Sequence, residues 1–288
     1  MTDVSRPMNA ADVHVLGGDL PVRRLGFGAM RITGSGVWGE PADRDGAKAL
    51  LRRVLELGVN LIDTADSYGP EVSELLIAEA LYPYPADLVI ATKGGLLRDG
   101  PHQWRRDGRP AHLRAVCEGS LRRLRLERID LYQLHAVDPR VPIEESVGAL
   151  VELQDAGLVR HIGVCNVSAQ QLERARGIAE VVSVQNRYNL AERGSDDLVE
   201  ACGREGLAFL PWYPLATGEL AAPGSRLDQA AKAHGATAAQ VALAWLLARS
   251  PTMLPIPGTG SIEHFEENMG AARVDITPQE LAAIAGRA

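Results

Sequence analysis

Short apolar runs rich in Val, Ile and Leu alternate with amphipathic segments along almost the whole chain. Such alternation predicts β-α units built on a buried parallel sheet. Eight strands are predicted, at residues 25–28, 59–63, 88–93, 129–135, 159–164, 182–185, 208–211 and 253–256. Helical periodicity fills the intervals, at residues 44–57, 73–81, 111–126, 143–154, 168–176, 195–204, 237–248 and 261–270.

Eight strands in strict alternation with eight helices, at roughly 30 residues per unit, favour a (β/α)8 barrel over a doubly wound sheet. We therefore predict an α/β fold with a single TIM barrel domain over residues 1–288. A short N-terminal β-hairpin is predicted at about residues 12–24, and a long loop at residues 94–110 on the C-terminal face of the barrel. A loop of that length inside a compact domain is more often functional than idle.

Charge and composition exclude several classes of function. The net charge of -7 disfavours a nucleic-acid partner, because phosphate backbones attract basic surfaces. The longest apolar stretch, near residues 238–248, falls short of the roughly 20 residues that span a bilayer, and the N-terminus has no apolar secretion segment. Cys117, Cys165 and Cys202 are widely spaced and form no zinc motif. We therefore expect a cytoplasmic protein without a membrane or metal site, whose oligomeric state the sequence does not indicate.

Polar residues terminate successive predicted strands. Asp63, Lys93, His135, Asn166 and Gln185 end or directly follow strands two to six. Each of them alone has an ordinary structural explanation, such as a turn cap or a surface side chain. In a barrel, however, the carboxyl ends of all strands meet at one face. Because buried charges need partners, we expect these side chains to form one network.

Tyr68 follows Asp63 by five residues in DTADSYG, a stretch predicted to turn back across the mouth of the barrel. An ammonium group such as that of Lys93 stabilises a nearby phenolate and lowers the phenol's pKa. Tyr68 is thereby predicted to be a proton donor. Asp63 would keep Lys93 charged and oriented, and His135 would hydrogen-bond a substrate oxygen.

Several segments together resemble one known family, the aldo-keto reductases. In the family's order these are LGFGAM, NLIDTADSYG, VIATKGG, IDLYQLH, GVCN, VQNRYN and IPGTGSIEHFEEN. The resemblance covers essentially the whole chain. It implies a barrel that binds a nicotinamide dinucleotide across its C-terminal face. It also implies a catalytic tetrad, carried by Asp63, Tyr68, Lys93 and His135, in which Tyr68 protonates a carbonyl oxygen while the nicotinamide gives hydride to the carbon.

The same resemblance assigns cofactor contacts beyond the tetrad. Asn166 and Gln185 would hold the carboxamide, and Trp212 would stack on the nicotinamide ring. The implied cofactor-binding set is Met30, Asp63, Asn166, Gln185, Trp212, Tyr213, Pro214, Leu215, Gly218, Ile256, Gly258, Thr259, His264, Glu267 and Asn268. The resemblance implies no metal.

The chain departs from the family pattern at the expected phosphate site. Many members carry Lys and Arg where this chain has Gly258 and His264, and those cations pair with the 2′-phosphate of NADPH. We expect NADPH, with Thr259 and His264 as weaker contacts, and NADH stays open. Cys165 stands where a serine is often found, and we interpret it as a small core residue rather than a redox sensor.

The substrate is expected to be a small aldehyde or ketone, with Trp104 and His135 in its pocket. We hypothesise that loop 94–110 is a lid whose arginines favour acidic or phosphorylated carbonyl compounds, although these arginines could equally be solvated. Two other functions stay open. One is a regulatory subunit that senses nicotinamide redox state, and the other is a Schiff-base lyase that uses Lys93.

Overall fold

The structure, a computed structural model, describes residues 13–215 and 224–286 of the chain. Its strands are β1 (Val13–Leu16), β2 (Leu20–Arg23), β3 (Phe27–Gly28), β4 (Leu61–Asp63), β5 (Val89–Gly94), β6 (Leu96–Gly100), β7 (Gln103–Arg106), β8 (Ile129–Leu134), β9 (Val159–Cys165), β10 (Val181–Gln185) and β11 (Ala208–Phe209). Its helices are α1 (Arg44–Glu56), α2 (Val72–Leu81), α3 (Pro110–Leu124), α4 (Ile143–Asp155), α5 (Ala169–Arg176), α6 (Asp196–Glu205), α7 (Arg226–His234), α8 (Ala238–Arg249), α9 (Ile262–Met269) and α10 (Pro278–Ile284). None of these helices is long and apolar enough to cross a membrane.

A seven-stranded parallel sheet, in the order β11-β10-β9-β8-β5-β4-β3, curls until residues 252–257 join its two edges. On one side Leu254 N donates to Phe209 O at 2.8 Å, and on the other Gly26 N donates to Pro255 O at 2.9 Å. Prolines in this segment have no N–H to donate, so its ladder is interrupted and the segment is extended rather than a regular strand. With this eighth segment the predicted (β/α)8 barrel is confirmed.

The predicted N-terminal hairpin closes the amino end of the barrel. Leu16, Leu20 and Val22 of β1 and β2 are buried with inward-facing residues of the barrel strands. These barrel residues are Leu61, Val89, Ala91, Leu131, Val182, Ala208, Leu210, Leu254 and Ile256. The lower interior is therefore apolar and filled, which leaves the carboxyl ends of the strands as the place for polar side chains.

The outer helices lie where apolar periodicity predicts them, and several begin with a side-chain cap. Ser168 and Thr237 form capping boxes at the starts of α5 and α8, and Ser261 caps α9. The sequence analysis missed α7 and α10. Both are short, and α7 has an apolar face only at Leu227 and Ala231, which is too little periodicity to stand out.

Residues 94–110, predicted as a long loop, contain the antiparallel hairpin β6–β7. Every residue of β7 is exposed. Because neither strand alternates clearly between apolar and polar residues, the sequence carries no period-two signal for them. The hairpin follows β5 directly and contacts residues at the mouth of the barrel.

Candidate active site

A buried ion pair lies where β4 and β5 end. Lys93 Nζ is 2.6 Å from Asp63 Oδ2, and both side chains are almost entirely shielded from solvent. Alternation along a strand explains why they meet. Val89 and Ala91 point into the barrel, so Lys93 also points inward, and Leu61 fixes the same orientation for Asp63. Two members of the expected polar network, Asp63 and Lys93, are therefore in direct contact.

The ammonium group of Lys93 has three neighbours in hydrogen-bonding range. Besides the Asp63 carboxylate, Nζ donates to Thr64 O at 2.8 Å and lies 3.3 Å from Tyr68 Oη. Burial alone would lower the pKa of Lys93, but attraction to Asp63 raises it above its ordinary value. The lysine is therefore a fixed cation. Such a group is a poor Schiff-base nucleophile, which argues against the lyase alternative.

Tyr68 lies in the turn after β4, and its phenol is buried beside the ammonium group of Lys93. Burial raises the pKa of Tyr68, Lys93 lowers it, and the net value is about 12. The expectation that Lys93 would bring this pKa below that of an ordinary phenol was therefore wrong, because desolvation of the phenolate outweighs the attraction of the cation. Tyr68 is protonated throughout the neutral range, as a proton donor must be.

His135 directly follows β8 and lies against Tyr68, with ring centroids 5.8 Å apart. Burial and the nearby Lys93 cation hold the pKa of His135 well below its usual value, so the imidazole is neutral. Ser67 Oγ lies 3.4 Å from Nδ1. When the serine hydroxyl donates to Nδ1, the single N–H of the neutral ring is on Nε2, where it can donate to another oxygen.

Gln133, which the sequence analysis missed, completes the partners of Asp63. Asp63 Oδ1 accepts from Gln133 Nε2 at 3.1 Å and from Gln185 Nε2 at 2.8 Å. Gln133 is fully buried within β8, two residues before His135. That spacing was an available signal, because it places the two side chains on the same inward face. Cys165 donates to Gln133 Oε1 at 3.6 Å, and burial raises the pKa of its thiol.

Asn166 joins the tetrad to Trp212. Its Nδ2 donates to His135 O, and its Oδ1 accepts from Trp212 Nε1, both at 2.9 Å. Asn166 itself is exposed and has a left-handed backbone with φ of 56°. The side chains of Asn166 and Gln185 both already hold protein partners. Tyr213, next to Trp212, is also left-handed, with φ of 61°.

The remaining described residues of the implied cofactor set lie after β3, after β11 and on α9. Met30 is exposed just after β3, whereas Pro214 is buried and Leu215 half-buried. Gly218 lies outside the described residues. His264, Glu267 and Asn268 lie on α9, with His264 exposed and Asn268 buried.

Packing explains one departure from the family pattern. A Cβ on Gly258 would lie 2.6 Å from Gly28 O, so no side chain fits there without a shift of backbone. The side chain of Ile256 faces the barrel interior, and Thr259 Oγ1 accepts from Ser261 N at 3.1 Å. A lysine at position 258 would therefore require the backbone near Gly28 to shift.

The hairpin β6–β7 brings Trp104 to the site, as the sequence analysis expected for the substrate pocket. The Trp104 ring is 41% exposed and lies 6.3 Å from the His135 ring. Two arginines of the segment are engaged elsewhere, since Arg105 pairs with Asp99 and Arg109 with Asp107.

Known proteins resemble this chain over nearly its whole length. An uncharacterized oxidoreductase of Schizosaccharomyces pombe is 49% identical over 92% of this chain and 86% of its own length. Pyridoxine 4-dehydrogenase of Escherichia coli is 45% identical over 93% of this chain and 96% of its own length. The crystal structure of a Klebsiella pneumoniae aldo/keto reductase in complex with NADP and acetate superposes with a TM-score of 0.81 at 29% identity, covering 95% of this chain and 94% of that one. Residues 24–287 match the profile of the aldo/keto reductase family, and the chain, an oxidoreductase, belongs to that family.

Proposed function

We propose that the protein reduces small aldehydes or ketones with NADPH, and catalyses the reverse oxidation, with Tyr68 as the proton donor. One observation carries this proposal: the buried Tyr68 phenol lies 3.3 Å from the ammonium group of Lys93. A phenol beside a fixed cation is suited to protonate an oxygen on which negative charge develops.

The residues present fit a nicotinamide dinucleotide in the chemistry of their donors. Trp212 offers a partly exposed ring whose orientation is fixed by Asn166. The side-chain nitrogen of Gln185 donates to Asp63. Its side-chain oxygen can therefore accept a hydrogen bond from a carboxamide. Ser261 caps α9, whose first backbone N–H groups suit phosphate oxygens.

The proposed division of labour follows from the geometry. When bound, the nicotinamide supplies the hydride that the carbonyl carbon receives. Tyr68 donates its proton to the carbonyl oxygen, which is favourable because an alkoxide is more basic than this phenolate. Lys93 stabilises the resulting phenolate, and Asp63 holds Lys93 in place. The N–H of neutral His135 orients the carbonyl oxygen.

Absorbance of reduced nicotinamide provides the direct test of this function. Wild-type protein is mixed with NADPH or NADH and a panel of aldehydes and ketones. The name of the Escherichia coli relative makes pyridoxal the first member of that panel. Oxidation of the dinucleotide that depends on the carbonyl compound supports the proposal. Tight binding of the dinucleotide without turnover on any carbonyl compound would instead favour the redox-sensing alternative.

The pH dependence should differ between the two directions. Reduction needs protonated Tyr68 and neutral His135, so kcat/KM should be level from about pH 6 to about pH 9, because the pKa of Tyr68 is about 12 and that of His135 is far below its usual value. Alcohol oxidation needs the phenolate, whose fraction rises about tenfold per pH unit below the pKa. Initial rates in both directions test this. A loss of reduction already at about pH 8 would contradict it.

Cofactor preference should respond to position 264, where an exposed histidine occupies the first turn of α9. His264→Arg adds a permanent cation that can pair with a 2′-phosphate, so the Kd of NADPH should fall by about tenfold while that of NADH stays unchanged. Fluorescence titration measures both constants. His234→Arg, the same substitution on α7, is the matched control. Equal tightening of both dinucleotides would show that position 264 does not read the phosphate.

A further inference from the structure

Arg98 of β6 connects three separate segments at the mouth of the barrel. Its guanidinium donates to backbone carbonyl oxygens only, namely those of Gln103 at 3.1 Å, Val37 at 2.6 Å, Ser67 at 3.4 Å, Gly36 at 2.7 Å and Gly100 at 3.2 Å. Three of these carbonyls lie outside the hairpin β6–β7, in the turns that follow β3 and β4. The hairpin is thereby fixed to the turn that carries Tyr68.

The same guanidinium also stacks on aromatic rings. Its Cζ atom lies 3.7 Å from the centroid of Trp104 and 5.9 Å from that of Trp38. Both tryptophan rings are more than a third exposed, whereas Arg98 is only 9% exposed. A planar cation can stack and donate in its plane at the same time, which a lysine cannot do. The arginine therefore sets where Trp104 lies relative to its other ring neighbour, His135.

Arg98 has no carboxylate partner among its hydrogen-bond acceptors in the described part of the chain, and burial lowers the pKa of the guanidinium. A buried cation held by neutral carbonyls alone is unfavourable for folding compared with a paired one. Arg105 of the same hairpin shows the ordinary arrangement, since it pairs with Asp99. Arg98 instead lies beside the candidate site and is held there by backbone carbonyl groups.

We propose that Arg98 is a positioning residue for the carbonyl substrate, which acts by holding Trp104, with Trp38 beside it, as a rigid aromatic wall next to His135. This inference rests on the proposed reductase function. A flat aromatic wall favours substrates with a planar ring, because ring stacking requires a fixed partner surface. Aromatic aldehydes should therefore depend on Arg98 more strongly than short aliphatic aldehydes, which have no ring to stack.

The test compares steady-state kinetics of Arg98→Met with benzaldehyde and with propanal. Methionine keeps an apolar side chain of similar length but makes none of the hydrogen bonds. We expect KM for benzaldehyde to rise about tenfold, with a much smaller change for propanal and with kcat and the Kd of NADPH nearly unchanged. Arg105→Met, which breaks an exposed ion pair on the same hairpin, is the control and should leave both KM values unchanged.

A double variant separates positioning from general destabilisation. If Arg98 acts through Trp104, then Arg98→Met should have little further effect on KM in a Trp104→Ala background. Hydrogen exchange gives a readout that needs no turnover, since amides of β6 and β7 should exchange faster in Arg98→Met and return towards wild-type rates in Arg98→Lys only in part.

Each outcome bears on a different statement. Wild-type protein without reductase activity would overturn the proposed function itself. Active wild type together with an unchanged benzaldehyde KM in Arg98→Met, or with equal effects on both aldehydes, would overturn the role of Arg98 alone. Additive effects in the double variant would equally show that the arginine does not act through Trp104.

Discussion

Tyr68→Phe protein is expected to reduce aldehydes about 10²–10⁴-fold more slowly than wild type, with little change in the Kd of NADPH. The substitution removes one oxygen, and with it the group that lies 3.3 Å from Lys93 Nζ. Among the described residues, Tyr68 carries the one hydroxyl group within hydrogen-bonding range of that ammonium group, whose other partners are the Asp63 carboxylate and Thr64 O.

Single-turnover absorbance measurements isolate the affected step from cofactor release. Tyr84→Phe is a matched control, because the Tyr84 hydroxyl donates to Leu124 O at the end of the outer helix α3 and makes no printed contact with Lys93. That variant should keep wild-type rates. Tyr68→Phe with kcat within a few-fold of wild type would remove the phenol from the mechanism.

Lys93→Met is expected to lower the free energy of unfolding by about 3–5 kcal/mol and to abolish measurable reduction. The cause is the Asp63 carboxylate, which stays buried with only the amides of Gln133 and Gln185 as partners. The loss of activity has a second cause, because the phenolate of Tyr68 loses its neighbouring cation. Urea unfolding followed by circular dichroism measures the first effect.

The double variant Asp63→Asn/Lys93→Met distinguishes the two causes. Removing both charges leaves no unpaired ion, so the free energy of unfolding should recover by about 1–4 kcal/mol relative to Lys93→Met. Activity should not recover, since the cation is still missing. If Lys93→Met has the same free energy of unfolding as wild type, then the ion pair does not stabilise the fold.

The parts of the site that follow from strand alternation were predictable, and those that depend on tertiary packing were not. Asp63, Lys93 and His135 terminate apolar strands, so their common face follows from sequence. Gln133 was not predicted because it lies within β8 rather than after its end, although its spacing from His135 places both on one face. The pKa of Tyr68 was misjudged, since the extent of burial that raises it depends on the whole barrel.

Other features had no sequence signal. The contacts of Arg98 join carbonyl groups that are up to 62 residues away along the chain, and no local pattern encodes such a meeting. One strand of the hairpin, β7, is exposed throughout, so no buried face imposes an alternation of apolar and polar residues on its sequence. Among the fold predictions, the barrel and its N-terminal hairpin were confirmed because periodicity determines them.

The proline-containing segment at residues 252–257 has a mechanical consequence. A barrel opens most easily where neighbouring strands share few hydrogen bonds. Between this segment and the chain around β3, the backbone donors are Gly26 N and Gly28 N, the latter at 3.4 Å from Pro257 O. Local thermal opening of the barrel should therefore begin between this segment and β3. A molecule that contacts both β3 and α9 would bridge this junction. Its binding should therefore also make the whole barrel more rigid.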